Sequence, residues 1–371
     1  MSKTEQGILF FIGVSFLLCF LSLDIKNSLK VFFNNYFYRM MPLFAVMLFG
    51  ILKLEQKQVE IIKRLIYTSI FGYLISSCYV IYQAFVLNMS RPNGFFGNPM
   101  TYDGWNCLFV PMLFILFMET NGKVNFSKKI FYLASLIMGL LGIVFNATRG
   151  SWLAIIIVLL ALIVYYGFNG YKKISATILI FCIALPIGFG ILQPNEFKNS
   201  RIVKRATNFD LSKDKSSMER IYLWKSSIQM VKDYPLAGIG LGRFGDLYQE
   251  KYILKEAGNP HLNHAHNNFF QVAAETGIIG LFAFLAMFAL NYKEQYSFWK
   301  RTKSKYSLII LAMTVCLLLQ GFTQYNFGDS AVIKNYWLML ALFLAINKMG
   351  NFKKETLEFR DKKEQKRSLN F

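Results

Sequence analysis

The sequence predicts an all-α, polytopic integral membrane protein, and three observations carry that reading. Of the 371 residues, 54% are hydrophobic and only 17% are charged, with a mean hydropathy of +0.36, more apolar surface than one soluble core can bury. About ten apolar runs reach or approach the length at which a helix crosses a hydrocarbon core of roughly 30 Å. Lysine and arginine are dense in alternate connections between those runs, the asymmetry that sets orientation in a bilayer.

The runs fall near 7–23, 37–54, 65–87, 101–119, 129–146, 152–168, 174–192, 268–290, 308–322 and 332–347. The first is preceded only by Lys3 and Glu5 and has no small-x-small cleavage site before Asp24, so it reads as a retained helix rather than a leader. Cys19, Cys78, Cys107, Cys182 and Cys316 all lie in apolar runs without metal-ligand spacing and read as small buried hydrophobes.

With the N-terminus inside, the short inner connections hold fourteen cations, from Lys53 to Lys305, and the short outer ones hold six: Lys26, Lys30, Arg39, Arg91, Arg149 and Lys334. The chain then divides into a membrane domain over 1–350, with a large extracytoplasmic loop at 193–267, and a basic cytoplasmic tail over 351–371. In such a chain a formal charge of +20 belongs to inner loops facing anionic lipid, and no nucleic-acid partner is expected.

Three connections face outward: 88–104, 147–151 and 193–267. In the last, Ser216-Ser217-Met218-Glu219 matches a capping box, which starts a helix by satisfying orphan backbone donors. Ile221, Trp224, Ile228 and Val231 recur at helical spacing until Asp233-Tyr234-Pro235, so an amphipathic helix is expected on or against the membrane domain, with Arg220 and Trp224 on one face. Gly238-Ile239-Gly240-Leu241-Gly242-Arg243-Phe244-Gly245 contains G-x-G-x-x-G, but no strand precedes it. It reads as a tight turn rather than a dinucleotide site.

Neutral-pH proton chemistry is concentrated at His261, His264 and His266, which end this loop just before an apolar run beginning at Phe269. His-x-x-His-x-His is open to zinc, yet one loop rarely supplies a tetrahedral site, and no Cys or Asp completes it. Alternatively His266, at the helix entrance, takes a proton from a hydroxyl while Asn267 orients it. Asp210, Asp214 and Glu275 are its rivals as base. Arg149 sits in a connection so short that its guanidinium must lie at the mouth of two helices, where it pairs with a buried acid, binds an anion or reaches a headgroup. Arg91 lies in the turn-rich stretch Arg91-Pro92-Asn93-Gly94, and Arg220 on the capped helix.

His266-Asn267, then nine residues, then Gly277-Ile278-Ile279-Gly280 resembles the histidine signature of the O-antigen ligase and polymerase superfamily. Arg149 with Leu153, Arg220 with Trp224, and Pro235-Leu236-Ala237-Gly238 through Phe244 resemble the arginine-bearing stretches of that family, and 91–99 resembles its upstream outer loop. The resemblance implies a membrane glycosyltransferase without metal or cofactor, on the extracytoplasmic face of the bacterial inner membrane. Its donor would be a glycan on undecaprenyl diphosphate. Its acceptor would be a sugar hydroxyl, of lipid A core for a ligase or of another repeat unit for a polymerase. His266, Arg149 and Arg220 would then be catalytic, and Arg91, Asn267, Arg243 and Trp224 would bind substrate. A transporter of polyprenyl-linked glycan would instead carry ionisable groups at mid-membrane and related halves, and the sequence displays neither.

Overall fold

The computed structural model describes residues 1–51, 56–173, 176 and 215–368, and every regular element among them is helical. In chain order these are α1 (Lys3–Cys19), α2 (Ile25–Val31), a π-helical turn (Phe32–Phe37), α3 (Tyr38–Ile51), α4 (Gln56–Phe85), α5 (Pro99–Glu119), α6 (Phe126–Asn146) and α7 (Arg149–Phe168). Then come α8 (Lys215–Asp233), α9 (Phe244–Leu247), a second π-helical turn (Tyr248–Tyr252), α10 (Asn268–Thr302), α11 (Lys305–Gln320), a 3-10 turn (Asn326–Gly328) and α12 (Ser330–Ser368).

Six described helices are long and apolar enough to cross a membrane: α4, α5, α6, α7, α10 and the first part of α12, Ser330–Met349. The runs expected at 7–23, 37–54 and 308–322 form the shorter helices α1, α3 and α11. The run at 174–192, with Cys182, Asp210 and Asp214, lies outside the described residues. Three expected spans prove to be parts of longer helices: α4 already starts at Gln56, ahead of the run at 65–87. α10 continues past 290 to Thr302, because its polar continuation finds partners: the Thr4 hydroxyl bonds Asn291 Oδ1 at 3.2 Å and the Ser307 hydroxyl bonds Gln295 Oε1 at 3.1 Å. α12 runs through the basic segment to Ser368, so most of the tail extends the last span as a helix.

In a bilayer, helices associate by close packing and interhelical hydrogen bonds, since lipid removes the hydrophobic drive between them. Gly7 shows the first: a Cβ there would lie 3.0 Å from Met287 Cα, so α1 lies directly on the α10 backbone. The second runs between α4 and α5, where Tyr73 bonds Asn106 and the Tyr102 hydroxyl bonds Ser77 Oγ at 3.0 Å. Cys19, Cys107 and Cys316 are buried as expected, but Cys78 is exposed, on an α4 face that no described helix covers.

The bundle has two distinct ends. At one, a capping box between Ser2 and Glu5 starts α1, Lys348 meets Glu5, Ser304 bonds Asn347, and the Tyr166 hydroxyl bonds Glu119. The lysines of 123–129 and 303–305 fall here. At the other end lie 22–28, 88–98, 147–149, 236–267 and 320–329. The separation matches the alternation of cations along the chain.

Above that second end, α8 and α9 make a small core of their own with Leu223, Met230, Ile239, Phe244, Tyr248 and Ala274. Two expectations for α8 need correction. Its helix is already running at Lys215, ahead of the Ser216 expected as its cap, and Glu219 Oε1 instead accepts from Gly258 N at 2.6 Å. Its buried face carries Leu223, Ser226, Ser227 and Met230, while Ile228 is exposed. The serines tolerate burial because each donates to a carbonyl, Ser226 to Tyr252 and Ser227 to Leu223, both at 2.7 Å.

Candidate functional site

The site begins with a broken helix. Gly277, inside α10, has φ 64° and ψ −168°, so the backbone around it is released from helical pairing and bonds to the preceding loop. Ile239 N donates to Ala274 O (2.9 Å), Gly240 N to Glu275 O (3.0 Å) and Ile278 N to Pro235 O (2.8 Å). Gly238, Gly240 and Gly242 all have positive φ, the conformation a tight turn demands, and Gly242 N donates to Glu275 Oε1 at 2.9 Å. The glycine-rich stretch is therefore the expected turn, fastened to α10.

The start of α10 is fastened to the turn after α11. Asn267 is its N-cap, with Oδ1 accepting from Phe269 N (2.8 Å) and Phe270 N (3.0 Å), while its Nδ2 donates to Phe322 O (2.8 Å). Asn268 N donates to Gly321 O, and the Asn268 side chain bonds Asn326 Oδ1 and Phe327 N. From the other side, Trp224 Nε1 donates to Ala265 O at 3.0 Å and its ring stacks on Phe270 at 5.7 Å. Between these clamps His266 is held at φ +48°, a left-handed conformation a non-glycine residue adopts only when its surroundings impose it. Asn267 thus caps a helix rather than orienting an imidazole, and Trp224 braces the loop.

The imidazole is oriented by Gln324, whose Oε1 lies 3.0 Å from His266 Nδ1. An amide oxygen only accepts, so in this arrangement Nδ1 carries the proton and Nε2 keeps its lone pair. His264 sits against His266 with ring centroids 4.2 Å apart, and its Nδ1 accepts from His266 N at 3.2 Å. Burial, with help from His266 and Arg220, pushes His264 down to about 3. Burial likewise lowers His266, partly offset by the Gln324 hydrogen bond and reinforced by Arg220. Both rings are therefore neutral near pH 7, and one presents a bare nitrogen. His261 is exposed, in a turn where its N–H bonds Asn259 Oδ1.

Of the four expected arginines, Arg220 lies nearest this pair by its recorded interactions, and Arg91 and Arg149 stand together about Thr148. Arg220 on α8 is within electrostatic reach of both histidines. Arg91 Nη2 donates to Thr148 Oγ1 at 3.2 Å, and Thr148 in turn bonds Asn146 Oδ1 at 2.6 Å. Arg149 follows at the start of α7. The next residue, Gly150, has no room for a Cβ against the Thr323 side chain, and Ser151 accepts from Gln320 Nε2 at 3.0 Å. Arg149 is thereby flanked by the partner of Arg91 and by the turn that holds Gln324. Arg243 is elsewhere, beside Asp246 at 3.4 Å and Asp24 at 4.0 Å.

Sequence reasoning passed over Gln324 and Asp103. Asp103 is fully buried on α5, beside Thr148 and within Coulombic reach of Arg91. The signal for it was an acid inside an apolar run. A cavity of about 310 Å³ opens next to His264 and Gln324 and includes Glu275 and Asp329 in its wall.

Residues 133–285 match the family model described as O-antigen ligase, a stretch that includes Arg149, Arg220, Arg243 and His266 but not Arg91. An uncharacterized protein of Haemophilus influenzae is 22% identical over 233 residues, which is 60% of this chain and 57% of that protein. The exopolysaccharide production protein ExoQ of Rhizobium meliloti is 26% identical over 123 residues, 31% of this chain and 27% of that protein. The chain so spans less than two thirds of either relative. These likenesses agree with the resemblance that His266-Asn267 and Gly277-x-x-Gly280 carry.

Proposed function

From the O-antigen ligase domain that residues 133–285 carry, we propose that the protein is a membrane glycosyltransferase moving a glycan from undecaprenyl diphosphate to a sugar hydroxyl. The observation that supports it most is the neutral His266, with Nε2 bare, within electrostatic reach of Arg220 and oriented by Gln324, whose neighbour Thr323 packs on Gly150 next to Arg149. His266 Nε2 removes the acceptor hydroxyl proton as that oxygen attacks the anomeric carbon. The bond from that carbon to the diphosphate oxygen breaks, inverting the centre, and the proton passes from His266 to solvent. Arg149 and Arg220, with Arg91 behind them, hold the charge that builds on the departing diphosphate. Guanidinium forks suit phosphate oxygens, and no metal is required by this scheme.

The acceptor is lipid A core in the ligase form of the reading. A repeat-unit polymerase for O-antigen, capsule or exopolysaccharide is the second form, favoured by the likeness to an exopolysaccharide production protein. The site end faces the extracytoplasmic side of the bacterial inner membrane, since the opposite end holds the lysine-rich connections. Residues 1–350 form the membrane domain, with 193–267 inserted in it.

The test is the purified protein with a lipid-linked oligosaccharide and candidate acceptors, product size being read by mass. A glycan joined to lipid A core supports the ligase form, and lengthened lipid-linked glycan the polymerase form. Uptake of the donor into vesicles with no new glycosidic bond would overturn both. Labelling of a cysteine placed at Asp214 from the cytoplasmic side alone would overturn the orientation.

A further inference from the structure

Asp103 is a buried ionisable group that the transfer scheme leaves unused. It lies fully buried in the second turn of α5, and neither carboxylate oxygen has a hydrogen-bond partner among the described residues. A carboxylate so placed is costly to keep charged unless a cation balances it. The titratable groups around it are Tyr73 from α4, Tyr102 and Cys107 from α5, and Arg91 from the loop before α5. Of the other helices packed on α5, α6 contributes the amide of Asn146, α11 sets Cys316 beside Cys107, and α12 lays Val332 on Gly104. Phenols and thiols are neutral near pH 7, so among the described residues Arg91 is the cation that Asp103 meets.

Arg91 is itself lightly held. Its Nη2 donates to Thr148 Oγ1 at 3.2 Å, a neutral acceptor, and its Nε is buried without a hydrogen-bond partner among the described residues. Thr148 has no second proton to offer Asp103, because its one hydroxyl hydrogen goes to Asn146 Oδ1 at 2.6 Å. Asn146 Nδ2 bonds Pro92 O (2.9 Å) and Pro99 O (3.0 Å), which ties the loop of Arg91 to the start of the helix that carries Asp103. Cation and carboxylate are thus kept within Coulombic reach without a hydrogen bond between them, and Thr148 stands beside both. Such a pair is balanced only while Arg91 has no other anion. A diphosphate drawn to the arginines would be repelled by this carboxylate and would take its counter-charge away.

We propose that Asp103 is a positioning residue that couples donor binding to proton uptake. It is ionised and balanced by Arg91 while the site is empty, takes one proton from solvent when the donor diphosphate engages Arg91, and returns that proton when undecaprenyl diphosphate leaves. The proton forms the O–H of the Asp103 carboxyl, and no other bond changes. The proposal rests on the diphosphate-donor reading above and adds to it a group that sets how firmly Arg91 grips.

The test counts protons on binding, with no transfer. Purified full-length protein in nanodiscs of neutral lipid is titrated calorimetrically with a short-chain polyprenyl diphosphate bearing one sugar, whose two phosphates each keep a single charge from pH 6 to 9, in buffers of differing ionisation enthalpy. The wild type should take up protons on binding and lose affinity as pH rises. Asp103→Asn, isosteric but unable to ionise, should take up fewer protons and bind about tenfold or more tightly than the wild type at pH 9, the gap narrowing as pH falls to 6. A purely structural role would instead weaken binding in the variant at every pH. Equal affinities and equal proton counts, or a folded Asp103→Asn that binds more weakly throughout, would overturn the proposal. If Asp103→Asn misfolds, Arg91→Gln takes its place: with the counter-charge gone, its donor affinity should vary less with pH than that of the wild type, and equal pH slopes would overturn the proposal. A wild type that binds no donor at any pH would overturn both this proposal and the functional reading. Proton-coupled donor binding without transfer to any acceptor would defeat the functional reading and leave the role of Asp103 standing.

Discussion

His266 and Gln324, 58 residues apart in sequence, meet at 3.0 Å between Nδ1 and Oε1, and that contact decides which imidazole nitrogen is free to act. Gln324 is a positioning residue in this scheme. Gln324→Leu should lower kcat by roughly 10²-fold with little change in donor KM, because His266 can then turn or change tautomer. Gln324→Glu should keep the tautomer and, by placing a carboxylate on the ring, raise the pH at which His266 protonates. A Leu variant with full activity, or a Glu variant with an unshifted acid limb in the pH profile, would remove Gln324 from the mechanism.

His266→Ala should cost roughly 10²–10⁴-fold in turnover while expression and donor binding stay intact. His264→Ala should be milder, since His264 Nδ1 is spent on the His266 N–H and its role is to support the neighbouring ring. If His266→Ala kept more than about a tenth of wild-type turnover in the same assay, the base would be another group, and Glu275 in the cavity wall is the next candidate.

Legibility in the sequence follows the distance over which each feature is built. The base candidate was legible because three histidines fall within six positions beside an apolar run. Its orienting partner was not: adjacency suggested Asn267, but a residue just ahead of a helix is drawn into capping it, and the ring is met by Gln324 from a different turn. The helical membrane class followed from composition, whereas the ends of α10 and α12 did not, since hydropathy registers the membrane-crossing part and not a helix that continues into polar surroundings. On α8, two serines, each bonded to a carbonyl, hid the buried face from any reading of apolar spacing. The arginines at 149 and 220 were marked by their sequence setting. Arg243 shared that setting, yet the three positive-φ glycines before it turn it towards Asp24 and Asp246.

Arg149→Lys should impair donor use although it keeps the charge. An ammonium on a flexible stem cannot reproduce the planar pair of N–H groups that grips two phosphate oxygens. Donor KM should rise and kcat fall together, by roughly 10-fold or more, with acceptor KM unchanged. Equal activity for the Lys variant would mean that the site needs only a positive field, and the guanidinium reading of Arg149 would fall.

The pH dependence follows from the histidines with a definite sign. His266 acts as a base only when neutral, and burial with Arg220 nearby holds its protonation below the ordinary histidine range. Activity should therefore persist as pH falls through about 6.5, where an unperturbed imidazole is half charged, and decline only below it. Stability has the same direction. His264, held down to about 3, stays neutral in the folded protein where the unfolded chain is already charged. Between about pH 6.5 and 3 the unfolded state binds more protons, so stability falls as pH drops through that window and is untouched by this group above it. Replacing His264 with Gln, which keeps an acceptor for the His266 N–H but cannot charge, should flatten the acid loss of thermal stability. An acid limb of activity centred above pH 6.5 would show that His266 is more readily charged than its burial requires, and would point to an acidic group raising it.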